Sequence, residues 1–168
     1  MTFSGPYQYS LILQGEKERS IKQKLDHLGN VITSFSSPIT KDKCPKIYIL
    51  MIDEHIVYVG YTGQSVSNRL RNGINPKGAK GYKGYKWKEQ AQIKLIVFVF
   101  NQDLKGNQHK DDESYILLAE AVEAELVYKV RNETGRWPEF QNEIHFNNES
   151  LDKAKIIANE MFDKIKLK

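Results

Sequence analysis

The chain has 168 residues, of which 40% are hydrophobic and 27% charged, with a net charge of +4. That length suits one domain able to bury its own core, and the modest basic excess suits an anionic partner. One cysteine, Cys44, excludes an internal disulfide and with it the disulfide-stapled secreted classes.

The most apolar run, Ile93 to Phe100, is broken by Lys94 and too short for a bilayer, and no signal-like segment opens the chain. The expectation is a cytoplasmic protein of a bacterium or phage, with no membrane partner. No repeat or long low-complexity tract divides the sequence.

In chain order, residues 16–28 place Ile21, Leu25 and Leu28 at spacings of four and three on a charged background, which predicts an amphipathic helix. Residues 1–44 then read as an N-terminal accessory segment. Pro38 and Pro45 punctuate the approach to the first motif, because proline cannot join a central ladder. The main domain is expected over 45–148.

Lys46-Ile47-Tyr48 and Tyr58-Val59-Gly60 read as two antiparallel strands joined tightly at Asp53-Glu54-His55. Ser65 to Asn72 predicts a short helix carrying Arg69, capped by Ser65 or Ser67 and ended by Gly73 and Pro76. From Arg69 to Lys94 the basic residues Arg69, Arg71, Lys77, Lys80, Lys83, Lys86, Lys88 and Lys94 are opposed only by Glu89. Gly78, Gly81 and Gly84 loosen this segment, while Tyr82, Tyr85 and Trp87 interleave its lysines. Such a mixture suits phosphates and base stacking. The alternative is a solvated lysine-rich loop with its aromatics packed beneath.

Ile93, Leu95, Val97 and Val99 alternate with Lys94, Ile96, Phe98 and Phe100, which predicts a central strand covered on both faces. The fold class expected is α+β, with a small, mostly antiparallel, three-stranded sheet flanked by helices. After a polar loop from Asn101, a long helix spans about Asp112 to Asn132. Its apolar stripe is Ile116, Ala119, Leu126, Val127 and Val130, and Glu123 falls in the gap of that stripe, which neither Glu120 nor Glu125 shares as well. A buried carboxylate demands a metal or a paired cation, Arg69 or a lysine.

Gly135 stops the helix, Trp137-Pro138 makes a corner, and Glu143 to Phe146 reads as a short strand. Asn148-Glu149-Ser150 offers a cap for a last helix, Leu151 to Lys166, with Ala154, Ile157, Ala158, Met161 and Ile165 inward. Residues 149–168 thus read as a structural helix on the same domain. The histidines His27, His55, His109 and His145 lie too far apart for a zinc site, and no glycine-rich phosphate loop is present.

The two tyrosine motifs, the arginine after them and the helix glutamate resemble the GIY-YIG nuclease superfamily over residues 46 to about 146. Tyr48, Tyr58, Arg69 and Glu123 match its functional positions, with Asn142 matching its closing asparagine at a longer spacing. Lys46 stands where the first motif has glycine and Val59 where the second has isoleucine. Gly73 stands where many relatives place a histidine or tyrosine.

The resemblance implies a DNA endonuclease of the stand-alone restriction or mobile-element kind, using one divalent ion, Mg²⁺ or Mn²⁺, and no small-molecule cofactor. Glu123 would hold the metal and Arg69 the phosphate. Tyr48 would accept the proton of the attacking water, its phenol lowered by nearby cations, and Tyr58 would orient the phosphate or water. DNA would also contact Arg71, Lys77, Lys80, Lys83, Lys86 and Lys88. Two other readings stand beside this: a non-catalytic nucleic-acid-binding module that kept the fold, and tyrosines that are only sheet residues. Monomer and homodimer are both open.

Overall fold

The computed structural model of the chain describes residues 2–16, 19–75, 85–101, 110–141 and 151–165. Its class is α+β. Among the described residues, six strands, β1 (Phe3–Gln14), β2 (Ser20–Leu25), β3 (Val31–Ile32), β4 (Lys46–Ile52), β5 (His55–Thr62) and β6 (Gln92–Phe100), form one sheet in the order β3-β2-β1-β6-β4-β5. Every neighbouring pair is antiparallel. The helices are α1 (Val66–Ile74), α2 (Lys110–Thr134) and α3 (Leu151–Ile165), with a short 3-10 turn at Lys86–Glu89.

The expected three strands stand side by side as β6, β4 and β5, but the sheet is twice that size. Among the described residues of 16–28 the expected N-terminal helix is absent: Ser20–Leu25 form β2 and a turn follows it. The supposed stripe does not survive in the strand: a bulge in the β1–β2 pairing sets Ile21 opposite Leu13 and Leu25 opposite Ser10, so the two residues point to opposite faces of the sheet. Leu28, the third member of the supposed stripe, is exposed in the turn. Asp26 holds that turn by accepting from the Leu28 and Asn30 backbone N–H groups at 2.9 and 2.8 Å.

Strand alternation sorts the apolar residues into two cores. Ile47, Ile49, Ile96, Phe98 and Phe100 face α2 and α3, whose contribution includes Val122, Leu126, Ala154 and Met161. Tyr48, Leu50, Leu95, Val97 and Leu11 face the other way, under α1, Phe35, Ile39 and Trp87. β6 is covered on both faces, as its continuous apolar run requires.

The tight turn between β4 and β5 puts Asp53 and Glu54 at φ of 45° and 65°, the double left-handed conformation that matches strand twist in a two-residue hairpin. The outer edge of β5 is covered by the chain after α2: Phe140 N–H donates to Val57 O at 2.9 Å, and Val59 N–H to Gln141 Oε1 at 3.1 Å. The strand expected at 143–146 and the cap at 148–150 lie outside the described residues. α3 buries Ala154, Ile157, Ala158, Met161 and Ile165, the inner face expected. No helix of the described residues is long and apolar enough to cross a membrane.

Candidate active site

Strand pairing brings the two motif tyrosines together. Tyr48 stands opposite Gly60 and Leu50 opposite Tyr58, so the tyrosines are diagonal neighbours on one face, with ring centroids 5.8 Å apart. The phenol of Tyr48 lies across Gly60, where an added Cβ would come within 2.5 Å of the hydroxyl. The second motif ends in glycine to leave room for the tyrosine of the first.

Helix α1 supplies the arginine. Ser65 caps it, its Oγ accepting from Asn68 N–H at 3.3 Å. Burial of Val66, Leu70 and Ile74 fixes the helix's rotation. Arg69, half-buried, then turns to Tyr48, and its Nε donates to the Tyr48 hydroxyl at 3.2 Å.

A third tyrosine belongs to this group. Tyr85 places its hydroxyl 2.7 Å from that of Tyr48, packs edge-on to Tyr58 at 5.3 Å and stacks on Trp87 at 4.9 Å. The Arg69 guanidinium lies 5.7 Å from its ring centre. Gly73 does not end α1, which runs on to Ile74. It makes space, since a Cβ there would meet the Tyr85 ring at 1.8 Å, and its carbonyl accepts from Tyr85 N–H at 2.9 Å. Tyr85 and Trp87 are buried, so they are not a surface on which bases stack. The one sign of this in the sequence is a glycine where a helix would favour almost any other residue.

The segment bearing Tyr85 is anchored by the residue that precedes β2. Arg19 donates through Nε to Lys88 O at 2.7 Å and through Nη2 to Gln90 O at 2.6 Å. Gly73→Ala is therefore expected to lower stability by roughly 1–3 kcal/mol, the usual cost of overpacking. Urea unfolding measures this, with exposed Ser67→Ala on the same helix as the control for propensity. Equal midpoints for the two variants would mean that the Tyr85 ring yields freely.

Glu123 comes to the site from α2, half-buried among Ala119, Leu126 and Val127. Burial pushes its carboxyl up to about 7; the Arg69 charge pulls it down, Glu120 pushes it up, and the Tyr61 backbone pulls it down. Glu120, one turn earlier on α2, is thus a neighbour that the stripe argument passed over. The same pair acts on the Tyr61 phenol, which burial, then Glu120 and Glu123, raise to about 12. Among the described residues Arg69 and Glu123 form no direct ion pair. Arg69 acts on the carboxylate through space while bonding to Tyr48.

The Tyr48 phenol is displaced opposite to the expectation. Burial raises it well above the ordinary tyrosine value, Tyr85 and Tyr58 add to this, and Arg69 alone opposes them. The reason is geometric: Tyr48 is 1% exposed, so the loss of water outweighs one arginine. Tyr58, Arg69 and Glu123, all half-buried, are the members that meet solvent.

Of the remaining candidates, Arg71 and Lys86 are exposed and Lys88 is half-buried. Lys77, Lys80, Lys83 and Asn142 lie outside the described residues. No cluster of three metal-ligating side chains occurs among the described residues. The donor set suits a hard divalent ion held by one carboxylate and otherwise by water: Glu123 is a desolvated carboxylate, crowded by a second one and outside any direct ion pair. Compared with protein-family models, curated proteins and solved structures, the chain matches none.

Proposed function

We propose that the chain is a metal-dependent DNA endonuclease whose site is Tyr48, Tyr58, Arg69 and Glu123. The observation that carries this reading is the position of Arg69, hydrogen-bonded to Tyr48 on one strand and acting electrostatically on Glu123 of a distant helix. Four residues spread over the sequence meet around one cation. A phosphodiester needs a charge-assisted fork for its oxygens, a proton acceptor for water and an anion to hold a divalent ion.

Glu123 would hold Mg²⁺ or Mn²⁺, which stabilises charge on the phosphoryl oxygens when bound. Arg69, held by Tyr48, presents its guanidinium to the phosphate, and half-exposed Tyr58 orients phosphate or water. Tyr48 takes the proton from behind them. The exposed Arg71 and Lys86 beside the site suit flanking phosphates.

The test is cleavage of supercoiled plasmid with Mg²⁺ and with chelator. In single-turnover form, Tyr48→Phe is expected to lower the rate about 10²-fold or more with DNA affinity little changed, and Tyr58→Phe to lower it less. Full activity in both would leave the tyrosines as sheet residues. The 1% exposure of Tyr48 favours a second reading, a nucleic-acid-binding module without catalysis. DNA binding with no metal-dependent cleavage would select that reading.

A further inference from the structure

We propose that Tyr85 is a positioning residue of the same site, and that Tyr48 and Tyr85 work as one acid–base pair sharing a proton, with Arg69 as its counter-ion. This rests on the nuclease reading for its reaction, but not for the pairing. Among the described residues, the hydroxyl of Tyr48 meets two polar groups, Arg69 Nε at 3.2 Å and the Tyr85 hydroxyl at 2.7 Å. Arginine does not exchange its proton in the working range of an enzyme. Any proton that arrives at Tyr48 must therefore displace the one already there, and the described acceptor for it is Tyr85.

Among the described residues, Tyr58 from β5 and Arg69 from α1 face the pair. The first anion formed on the pair accepts from the remaining hydroxyl and faces Arg69, the one group that pulls the Tyr48 phenol down, whereas burial and the neighbouring Tyr85 push Tyr48 up. Coupled groups of this kind lose their protons in two well-separated steps that belong to the pair. Burial pulls Arg69 down, yet Tyr48 and Tyr85 lift it above its ordinary value, as a counter-ion is lifted.

The proton count closes. The pair first loses one proton to solvent, leaving Tyr48 as phenol donating to the Tyr85 phenolate. One O–H bond of the attacking water breaks as its proton goes to Tyr48, and the proton of Tyr48 moves to Tyr85. Hydroxide forms the new bond to phosphorus as the P–O3′ bond breaks, the 3′ oxygen leaves with that electron pair and takes a proton from solvent, and both phenols end neutral.

The construction of the site serves this contact. Gly73 leaves the volume in which the Tyr85 ring sits, Trp87 stacks behind it, and Arg19 fixes the main chain at residues 88 and 90. Removing the hydroxyl while keeping the ring is therefore a mild change to packing and a severe one to the pair.

The experiment is the pH dependence of single-turnover plasmid cleavage for wild type, Tyr85→Phe, and a chain with fluorotyrosine at position 85, with DNA affinity measured in parallel. In Tyr85→Phe the rising limb is expected to move up by about one pH unit, a tenfold change in the anion's stability, with affinity unchanged. The more acidic fluorotyrosine, which keeps ring and hydroxyl, is expected to move the limb down. Superimposable profiles for wild type and Tyr85→Phe overturn the pair and leave the nuclease reading intact. Absence of cleavage by the wild type overturns the nuclease reading. The pair is then judged by NMR titration with tyrosines isotope-labelled at Cζ, with Tyr48→Phe to assign the signal. A first ionisation of the site at higher pH in Tyr85→Phe supports the pair, and an unchanged one overturns it.

Discussion

At about pH 8, Glu123→Gln is expected to abolish plasmid cleavage in Mg²⁺ and at the same time to make the folded chain more stable. Both effects have one cause. The carboxyl titrates near 7 in the fold against an ordinary 4.5, chiefly because it is desolvated. Between those values the folded state holds a proton that the unfolded state has released, so stability falls as pH rises through this window. Above it the whole penalty is present, on the order of 2 kcal/mol after allowance for partial exposure. Glutamine keeps the volume and removes the charge. The variant should therefore unfold at higher temperature than wild type above neutrality and at nearly the same temperature near pH 4. Added Mg²⁺ should raise the melting temperature of the wild type and not of the variant, since a ligand stabilises the state that binds it. Undiminished cleavage by Glu123→Gln at limiting Mg²⁺ would remove the glutamate from the site.

The second large effect is expected at Lys46, the residue that stands where the resemblance has glycine. Its side chain is fully buried, and its ammonium donates to Lys41 O at 2.7 Å, Cys44 O at 2.5 Å and Gln64 O at 3.1 Å. It ties the approach to β4 to the turn that opens α1. Lys46→Met keeps most of the volume but removes this donor from the buried Cys44 carbonyl and from the part-buried Lys41 and Gln64 carbonyls, so a loss of roughly 2–4 kcal/mol is expected. Lys46→Gly should cost more, because a cavity is added to the same loss. Since Gln64 and Ser65 set the start of the helix that carries Arg69, cleavage should fall with stability. Denaturant unfolding of both variants checks the order, and stability equal to wild type in Lys46→Gly would show this ammonium to be dispensable.

The meeting of the candidate residues was more legible in the sequence than the fold around them. Tyr48, Tyr58 and Arg69 are close in sequence, and a tight hairpin followed by a helix leaves little freedom in how they meet. Glu123 was legible because a carboxylate in an apolar stripe is costly. β6 showed the two-sided apolar run that buried strands need, and β4 and β5 were marked by the turn residues between them. β2 was misread because apolar residues at spacings of four and three fit a helix, whereas a bulge in its pairing with β1 puts Ile21 and Leu25 on opposite faces. Tyr85 could not be placed from sequence: its contact with Tyr48 depends on how the chain returns after α1. The basic residues around Tyr85 pointed to the surface, whereas its ring is buried. Gly73 was read as a helix stop because local rules describe what a glycine permits in its own backbone, not what it leaves room for.

The pairing of β1 with β6 governs the time at which this protein can fold. Phe3 lies against Phe100 and Leu11 against Ile93, so the central ladder joins residues that leave the ribosome far apart in time. The β1–β2 hairpin closes locally as soon as it is made, but the other edge of β1 stays unpaired until β6 emerges. Contacts of such long sequence separation slow the search for the native state. Throughout that interval the nascent chain offers an open strand edge to other chains.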